Sequence, residues 1–386
     1  MHAMNPDTEM TALVAERVRD AAQAGTPLRI RGGGSKDFYG QALGGEVLDM
    51  SAFAGVISYE PSELVVTVRG GTPLAELEAL LAEHGQCLPF EPPHFGPHAT
   101  VGGMVASGLS GPARASSGAV RDFLLGVVVL NGKGQCLTFG GQVMKNVAGY
   151  DVSRMMAGTL GTLGILLEIS LKVLPIAPAE ATLMCSDLSQ QAALDLLNRW
   201  GAQPLPLNAS CWVRDETSGQ TQDFLFVRLR GAIAAVGAAC PRMIADVRAA
   251  GGQAVQMDNN QAGADWMACR EQSLPFFTQP PSLDDCLWRL SVPQTTPAMD
   301  LPYSPFVEWH GGLRWLWAPA SAAAQLRQLA VQAGGHATLF RRVASTPLDL
   351  PVFTPLSAVQ SRIQSELKKQ FDPAGIFNPG RMPMDG

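Results

Sequence analysis

Glycine is clustered in this chain, and the clusters constrain it more than any other feature. Three segments concentrate glycines and other small residues: "RIRGGGSK" (29–36), "PHATVGGMVASGLSGPARASSGAVRD" (97–122) and "VMKNVAGYDVSRMMAGTLGTLGILLE" (143–168). Consecutive glycines reach positive φ and turn neighbouring amides into one concavity that suits an anion. Read alone, the first run is equally a phosphate cradle or a tight turn. It matches neither GxGxxG nor GxxxxGK[ST], so it is neither a Rossmann fingerprint nor a Walker A loop. The second segment lets backbone approach a large planar or phosphate-bearing ligand, and Thr100, Ser107 and Ser110 add hydroxyls. Its alternative is tight packing against helices, which the recurrence of such segments makes weaker. In the third, Tyr150 and Asp151 sit beside small residues, and Gly158, Gly161 and Gly164 punctuate a turn into a strand.

Composition narrows the class. The net charge is −6 with no Lys/Arg run, which excludes a nucleic-acid binder. The seven cysteines (Cys87, Cys136, Cys185, Cys211, Cys240, Cys269, Cys286) are odd in number, dispersed and free of any CxxC. That argues against an iron–sulphur or zinc cluster on this chain and against a disulfide framework, and suits a reducing compartment. Met1 to Pro6 lacks a basic-then-apolar signal pattern, and no apolar run reaches the roughly 18 residues of a membrane helix. The expectation is a cytoplasmic protein whose membrane contact, if any, is peripheral and through partners.

The periodicities predict an amphipathic helix from about residue 8 to Gly25, with Leu13, Val14, Val18 and Ala21 on one face. "LRIR", "EVLDM", "GVISYE" and "LVVTVRGG" read as strands. "TPLAELEALLAEHG" reads as a helix with Thr72 as N-cap and Pro73 at N1. A hairpin spans "FLLGVVVLNGKGQCLTFGG", turning at Asn131-Gly132 and Gly134. After the Pro-rich "LPIAPAE", residues 180–256 follow the order β-α-β-β-α-β, the ferredoxin-like order, with the second helix broken at Pro241. A rougher second unit of the same kind extends to about residue 342. The fold class is therefore α+β with an antiparallel sheet, and a helix near 356–371 leads into an irregular tail.

The motifs in order, "RGGGSK", "ATVGGMVASGLSG", "GAVRD", "KNVAGYD", "GTLGILLE" and the terminal "FDPAGIFNPGRM", resemble the FAD-binding domain of the vanillyl-alcohol oxidase superfamily, also called the PCMH type. The match covers about residues 10–178 and the tail at 371–382. "GGGSKDFYG", "GLSGPARASSGAVRDFLLG" and "VEWHGGLRWL" are similar to the FAD-binding subunits of bacterial glycolate oxidases. The resemblance implies a two-part PCMH-type FAD-binding domain (1–178), an antiparallel-sheet, ferredoxin-like cap domain (179–345), and a C-terminal helix and tail (346–386) docking back on the first domain. It implies that Arg31, Gly32, Gly33, Gly34, Ser35 and Lys36 hold the FAD diphosphate. Thr100, Val101, Gly102, Gly103, Ser107, Gly108, Ser110 and Gly111 line the other wall, with Gly161 and Ile165 near the flavin ring. FAD supplies the redox chemistry, and the protein's donors and acceptors tune it.

Two departures from the superfamily shape the functional expectation. Covalent members carry a histidine in or just after the first glycine loop, where this chain has Ser35, so the FAD is expected to be non-covalent. Members that oxidise 2-hydroxy acids carry an "HGDGN"-like run with metal-binding histidines, and this chain has none, so no metal is expected and no catalytic residue is assigned. His94 and His98 lie in a proline-rich loop, and His310 in a hairpin turn. The implied role is the FAD-binding subunit of a complex oxidising glycolate, a small 2-hydroxy acid, to glyoxylate. Its partners are a second flavoprotein subunit and an iron–sulphur subunit, and this chain relays electrons or supports assembly. The alternatives are a self-sufficient 2-hydroxy-acid or alcohol oxidoreductase, which a convergent Arg/His/Tyr set over the flavin would support, and a scaffold without FAD. Trp309, Trp315 and Trp317 alternate at strand spacing, as a sandwiched sheet or as a docking strand.

Overall fold

The computed structural model describes residues 6–383 apart from 42, 142–150, 217–218 and 220. Tyr150 and the "KNVAGY" part of the third segment lie outside the described residues. The opening helix, Pro6–Ala24, buries Ala15, Val18 and Ala21 against Leu28, Leu130 and Ile165. Leu13, expected on that face, is instead 60% exposed, because Ala15 takes the inward position between Val14 and Val18. Strands Leu28–Arg31 and Glu46–Asp49 form a short parallel pair.

A five-stranded antiparallel sheet follows, in the order Val56–Glu60, Val65–Arg69, Ile165–Lys172, Leu124–Leu130, Cys136–Gly140. The expected hairpin is present, and its turn is held by the Asn131 carboxamide oxygen, which accepts from the amides of Lys133 (2.9 Å) and Gln135 (3.0 Å). Helices Leu74–Glu83 and Val101–Ser107 pack Leu74, Leu77, Leu81, Met104 and Val105 on the sheet's Val66, Val68, Val127 and Ile169. Thr72 is not the cap of the first of these. Pro73 is extended (φ −57°, ψ 130°) and the helix opens at Leu74. The Thr72 hydroxyl instead exchanges bonds with the backbone N–H and C=O of Gly55 (3.0 and 3.1 Å).

The second domain is built on one eight-stranded antiparallel sheet, ordered Gln253–Gln256, Ala179–Ser186, Gln222–Gly231, Leu207–Asp215, Phe306–Glu308, Leu313–Pro319, Asp285–Ser291, His336–Arg341. Numbered within the first unit, the first four strands run 4-1-3-2, the ferredoxin-like arrangement. The last four run 2-3-1-4, so two such units meet edge to edge through Leu207–Asp215 and Phe306–Glu308. Helices Gln190–Gly201, Ile233–Ala249 and Ala323–Gln332 cover one face. The other face packs Phe306, Trp309, Leu313, Trp315 and Phe340 against Tyr39 and Leu109 of the first domain. Helix Ile233–Ala249 runs through Pro241 unbroken, contrary to expectation. Val236, Ala239, Met243 and Val247 on both sides of the proline bury against the sheet, and that packing outweighs one lost backbone bond. Trp309 and Trp315 are buried, so this part of the sheet is sandwiched.

Helix Ala358–Phe371 carries the chain back to the first domain. Leu28 donates from its amide to Ile376 and accepts from that of Asn378, so the tail lies beside the first strand. The Lys368 ammonium is buried there among Asp372 (2.6 Å), the Thr162 carbonyl (2.7 Å) and the Phe377 carbonyl (2.9 Å).

Candidate functional site

The glycine segments converge. At Gly33 a side-chain carbon would stand 1.4 Å from the His98 carbonyl oxygen, so the first loop lies directly on the approach to Thr100. The second and third segments are joined where the amides of Gly158 and Leu160 donate to Val105 and Ala106. Gly108, at φ +64°, lies so near Gly158 that a side-chain carbon would be 2.9 Å from its Cα. The tail ties the third segment to the first. Asn378 accepts from the Ile30 amide (2.8 Å) and donates to the Leu160 carbonyl (2.7 Å). Arg381 donates to the carbonyls of Asp37 (2.9 Å) and Gln41 (2.7 Å).

Donors are unevenly distributed among these segments. Among the described residues, none accepts a hydrogen bond from the amides of Gly33, Gly34, Ser35 or Lys36. Consecutive N–H groups without an acceptor on a half-buried loop need a partner, and such runs suit an anion. Asp37 steadies the loop's base by accepting from Arg29 and from Arg31 Nε (3.0 Å). Lys36 reaches the His94 carbonyl (3.1 Å), and burial lowers its ammonium to about 8. The second segment spends its donors internally. The amides of Val101 and Gly102 bond Thr72 and Gly70, Thr100 caps Gly103 (3.2 Å), and Ser107 donates to Met104 (3.0 Å). What it presents is shape. Gly102, Gly103, Ala106, Gly108 and Ser110 are half-exposed, while Val101, Met104, Val105, Ser107 and Leu109 are buried. Those two sets fall on opposite sides of the turn, leaving a smooth wall that a flat ligand can touch.

Gly161 lies in the joint with Asn378. Ile165 opens the strand that follows. Its side chain is 1% exposed in the core beside the opening helix, and it pairs with Leu130 in the sheet. His94 is held by Glu78 (3.0 Å) and His98 is exposed. Among the described residues, no group of three or more His, Cys, Asp or Glu could hold a metal.

Trp309 and His310 meet several polar residues that sequence reasoning passed over, where the second domain covers the end of the second segment. The guanidiniums of Arg114 and Arg289 lie 4.7 and 5.0 Å from the centre of the Trp309 ring. Arg289 also stands beside the Tyr39 hydroxyl, which burial pushes above its ordinary range. Trp309 Nε1 donates to the Gly111 carbonyl (3.0 Å). His310 bridges Ser116 Oγ (3.0 Å) and Ser210 Oγ (2.9 Å), and burial lowers its imidazole to about 4, so it is neutral. Glu308 accepts from Trp315 Nε1 (2.6 Å) and Cys269 Sγ (3.3 Å), and burial raises its carboxyl to about 7. A cavity of about 20 Å3 lies among Ser110, Gly111, Arg289, Glu308 and Trp309. The "VEWHGG" run carried a legible signal: polar residues inside an aromatic strand pair. Arg114 and Arg289 carried none.

Residues 8–140 match a family model described as an FAD binding domain. Over 376 residues, 97% of this chain and 98% of the relative, the sequence is 44% identical to the glycolate oxidase subunit GlcE of Escherichia coli. The chain belongs to the GlcE family. Members of this family are FAD-dependent oxidoreductases, and the free amides of the first loop with the flat wall facing them fit that cofactor. The glycolate oxidase subunit GlcD of Bacillus subtilis is 28% identical over 158 residues, 40% of this chain and 33% of that protein. The GlcE fold also matches a solved structure of alkyldihydroxyacetonephosphate synthase, with a TM-score of 0.67 at 15% identity, covering 95% of this chain and 74% of that one. Among the described residues, no helix is long and apolar enough to cross a membrane.

Proposed function

We propose that this chain is the FAD-binding subunit of a glycolate oxidase assembly that converts glycolate to glyoxylate. The unbonded amides of Gly33, Gly34, Ser35 and Lys36 carry the reading, since a diphosphate is the part of FAD they suit. Gly102, Gly103, Gly108 and Ser110 form the facing wall and Gly161 borders it, while Gly111 is buried against Glu91. The FAD is non-covalent, because residues 28–40 hold neither histidine nor cysteine. When bound, FAD would supply the two-electron redox chemistry. Residues 1–178, 179–345 and 346–386 act as FAD domain, cap and returning tail. The partners are a second flavoprotein subunit, for which the likeness to GlcD speaks, and an iron–sulphur subunit that supplies the cluster this chain's dispersed cysteines do not favour. The complex is cytoplasmic, peripheral to the membrane.

On the sequence alone, the missing histidine-rich run favours electron relay over substrate oxidation. The meeting of Tyr39, Arg114, Arg289 and His310 favours the second reading, a chain with its own contact to a 2-hydroxy acid. The deciding experiment is anaerobic addition of glycolate to the purified protein. A yellow protein whose flavin is released by acid and bleaches rapidly supports the second reading. Yellow protein that stays oxidised supports relay, and a colourless one sinks both.

A further inference from the structure

Two arginines that share one tryptophan ring need an explanation. Arg114 and Arg289 approach the Trp309 indole to 4.7 and 5.0 Å, and among the described residues neither forms an ion pair. Arg289 Nε is buried without a hydrogen-bond partner. Burial and the neighbouring charge of Arg289 both lower the guanidinium of Arg114. Stacking on an indole is worth about 0.5–2 kcal/mol per cation, and for Arg114 the carboxylate of Asp122 adds attraction without a direct ion pair. The Glu308 carboxyl, which feels the charge of Arg289, already takes hydrogen bonds from Trp315 and Cys269.

The backbone that sets up this arrangement is itself unusual. Trp309 and His310 both have left-handed conformations, φ 53° and 55°. Two such non-glycine residues in succession cost roughly 1–3 kcal/mol each and persist only where surroundings hold them. Here Gly111 holds the indole, and Ser210 and Ser116 hold the imidazole. The strain keeps the Trp309 ring under both guanidiniums, next to the proposed cofactor wall at Ser110.

We propose that Arg114 and Arg289, with the Tyr39 hydroxyl, form an anion subsite that receives the carboxylate of a small 2-hydroxy acid. The proposal rests on the second reading above and assigns its specificity to named residues. A guanidinium offers a planar pair of donors that matches a carboxylate, and two of them beside one phenol select an anion over a neutral alcohol. The adjoining cavity of about 20 Å3, lined by Arg289 and Trp309, has room for about one water. Trp309 is a positioning residue for both arginines.

The test is calorimetric titration with oxalate, a two-carbon dicarboxylate that cannot be oxidised as a 2-hydroxy acid, in parallel with glycolamide, the neutral amide of glycolate. Both are titrated into FAD-loaded and FAD-stripped protein. Oxalate is expected to bind and glycolamide to bind at least about tenfold more weakly. Arg289→Met and Arg114→Met are each expected to weaken oxalate by at least about tenfold, with Arg289→Lys in between. FAD content, read from the visible spectrum, stays at the wild-type level. Equal binding of the two probes to wild-type protein overturns the proposal, whatever the variants do. Loss of FAD from the arginine variants also overturns it, by assigning the arginines to the cofactor's phosphates. Because neither probe is turned over, binding without glycolate bleaching would leave the subsite standing while the oxidase reading fails.

Discussion

At Gly33 the constraint is a single atom wide. The His98 carbonyl occupies the place where a side chain would begin, and both partners are backbone, so neither can swing away. Gly33→Ala is expected to cost at least about 3 kcal/mol and to strip FAD from the protein. Thermal unfolding and the ratio of flavin to protein absorbance measure the two effects, and unchanged values of both would refute the account of the loop. Glu308 and His310, on either side of Trp309 in the sequence, give a second prediction. Glu308 holds its proton to about pH 7 in the fold and to 4.5 in the unfolded chain. Between those values the folded chain binds more protons, so stability falls with rising pH by about 3 kcal/mol in all. His310 titrates at about 4 in the fold and 6.5 unfolded. Between those values the unfolded chain binds more protons, so stability rises with pH by a similar amount. The slopes oppose each other between 4.5 and 6.5. His310→Gln removes only the rising one, so the variant's melting temperature, relative to wild type, should drop as pH rises across that window. Parallel profiles would show that burial does not govern these groups.

At the scale of elements, the tail is the part whose importance was least visible. "FNPGRM" reads as an irregular end, yet Asn378 satisfies the Ile30 amide and the Leu160 carbonyl at once. Asn378→Ala leaves both backbone groups without their partner, at about 1–3 kcal/mol each. The variant is expected to melt several degrees lower and to expose the C-terminal helix to proteolysis, while a variant cut no faster than wild type would mean that the tail docks by other contacts. The helices and strands themselves were largely legible from periodicity, because each buries one face. The errors came at edges and interruptions. Pro241 did not break its helix, since packing on both sides spans it, and Thr72 was drawn off the helix cap by a neighbouring turn.

For the whole molecule, the joint between domains rests on a buried charge cluster. Glu91 accepts from Arg228 (2.7 Å) and Arg230 (2.6 Å) across the interface. Burial works to raise its carboxyl, yet the two guanidiniums hold it below its ordinary value. Arg228 is 1% exposed. Glu91→Gln strands a buried guanidinium, a loss of about 3–5 kcal/mol. Calorimetry is expected to show one unfolding transition for wild type and two for the variant, as the cap loosens from the FAD domain; a single shifted peak would show that other contacts hold the joint.

By itself the sequence determined the α+β class, the ferredoxin-like order of the cap and the glycine segments that mark the cofactor region. Periodicity and turn chemistry are local, and they are written in neighbouring residues. Only the tertiary structure decided how the segments divide their work. Among the described residues, amide donors are left without an acceptor at Gly33–Lys36 and consumed at Val101 and Gly102 because of which carbonyls lie opposite, and those carbonyls belong to Thr72 and Gly70. It also decided that Arg114 and Arg289, 175 positions apart in the numbering, share one indole. No local pattern encodes that meeting, because it depends on how the sheet of one domain closes over a loop of the other.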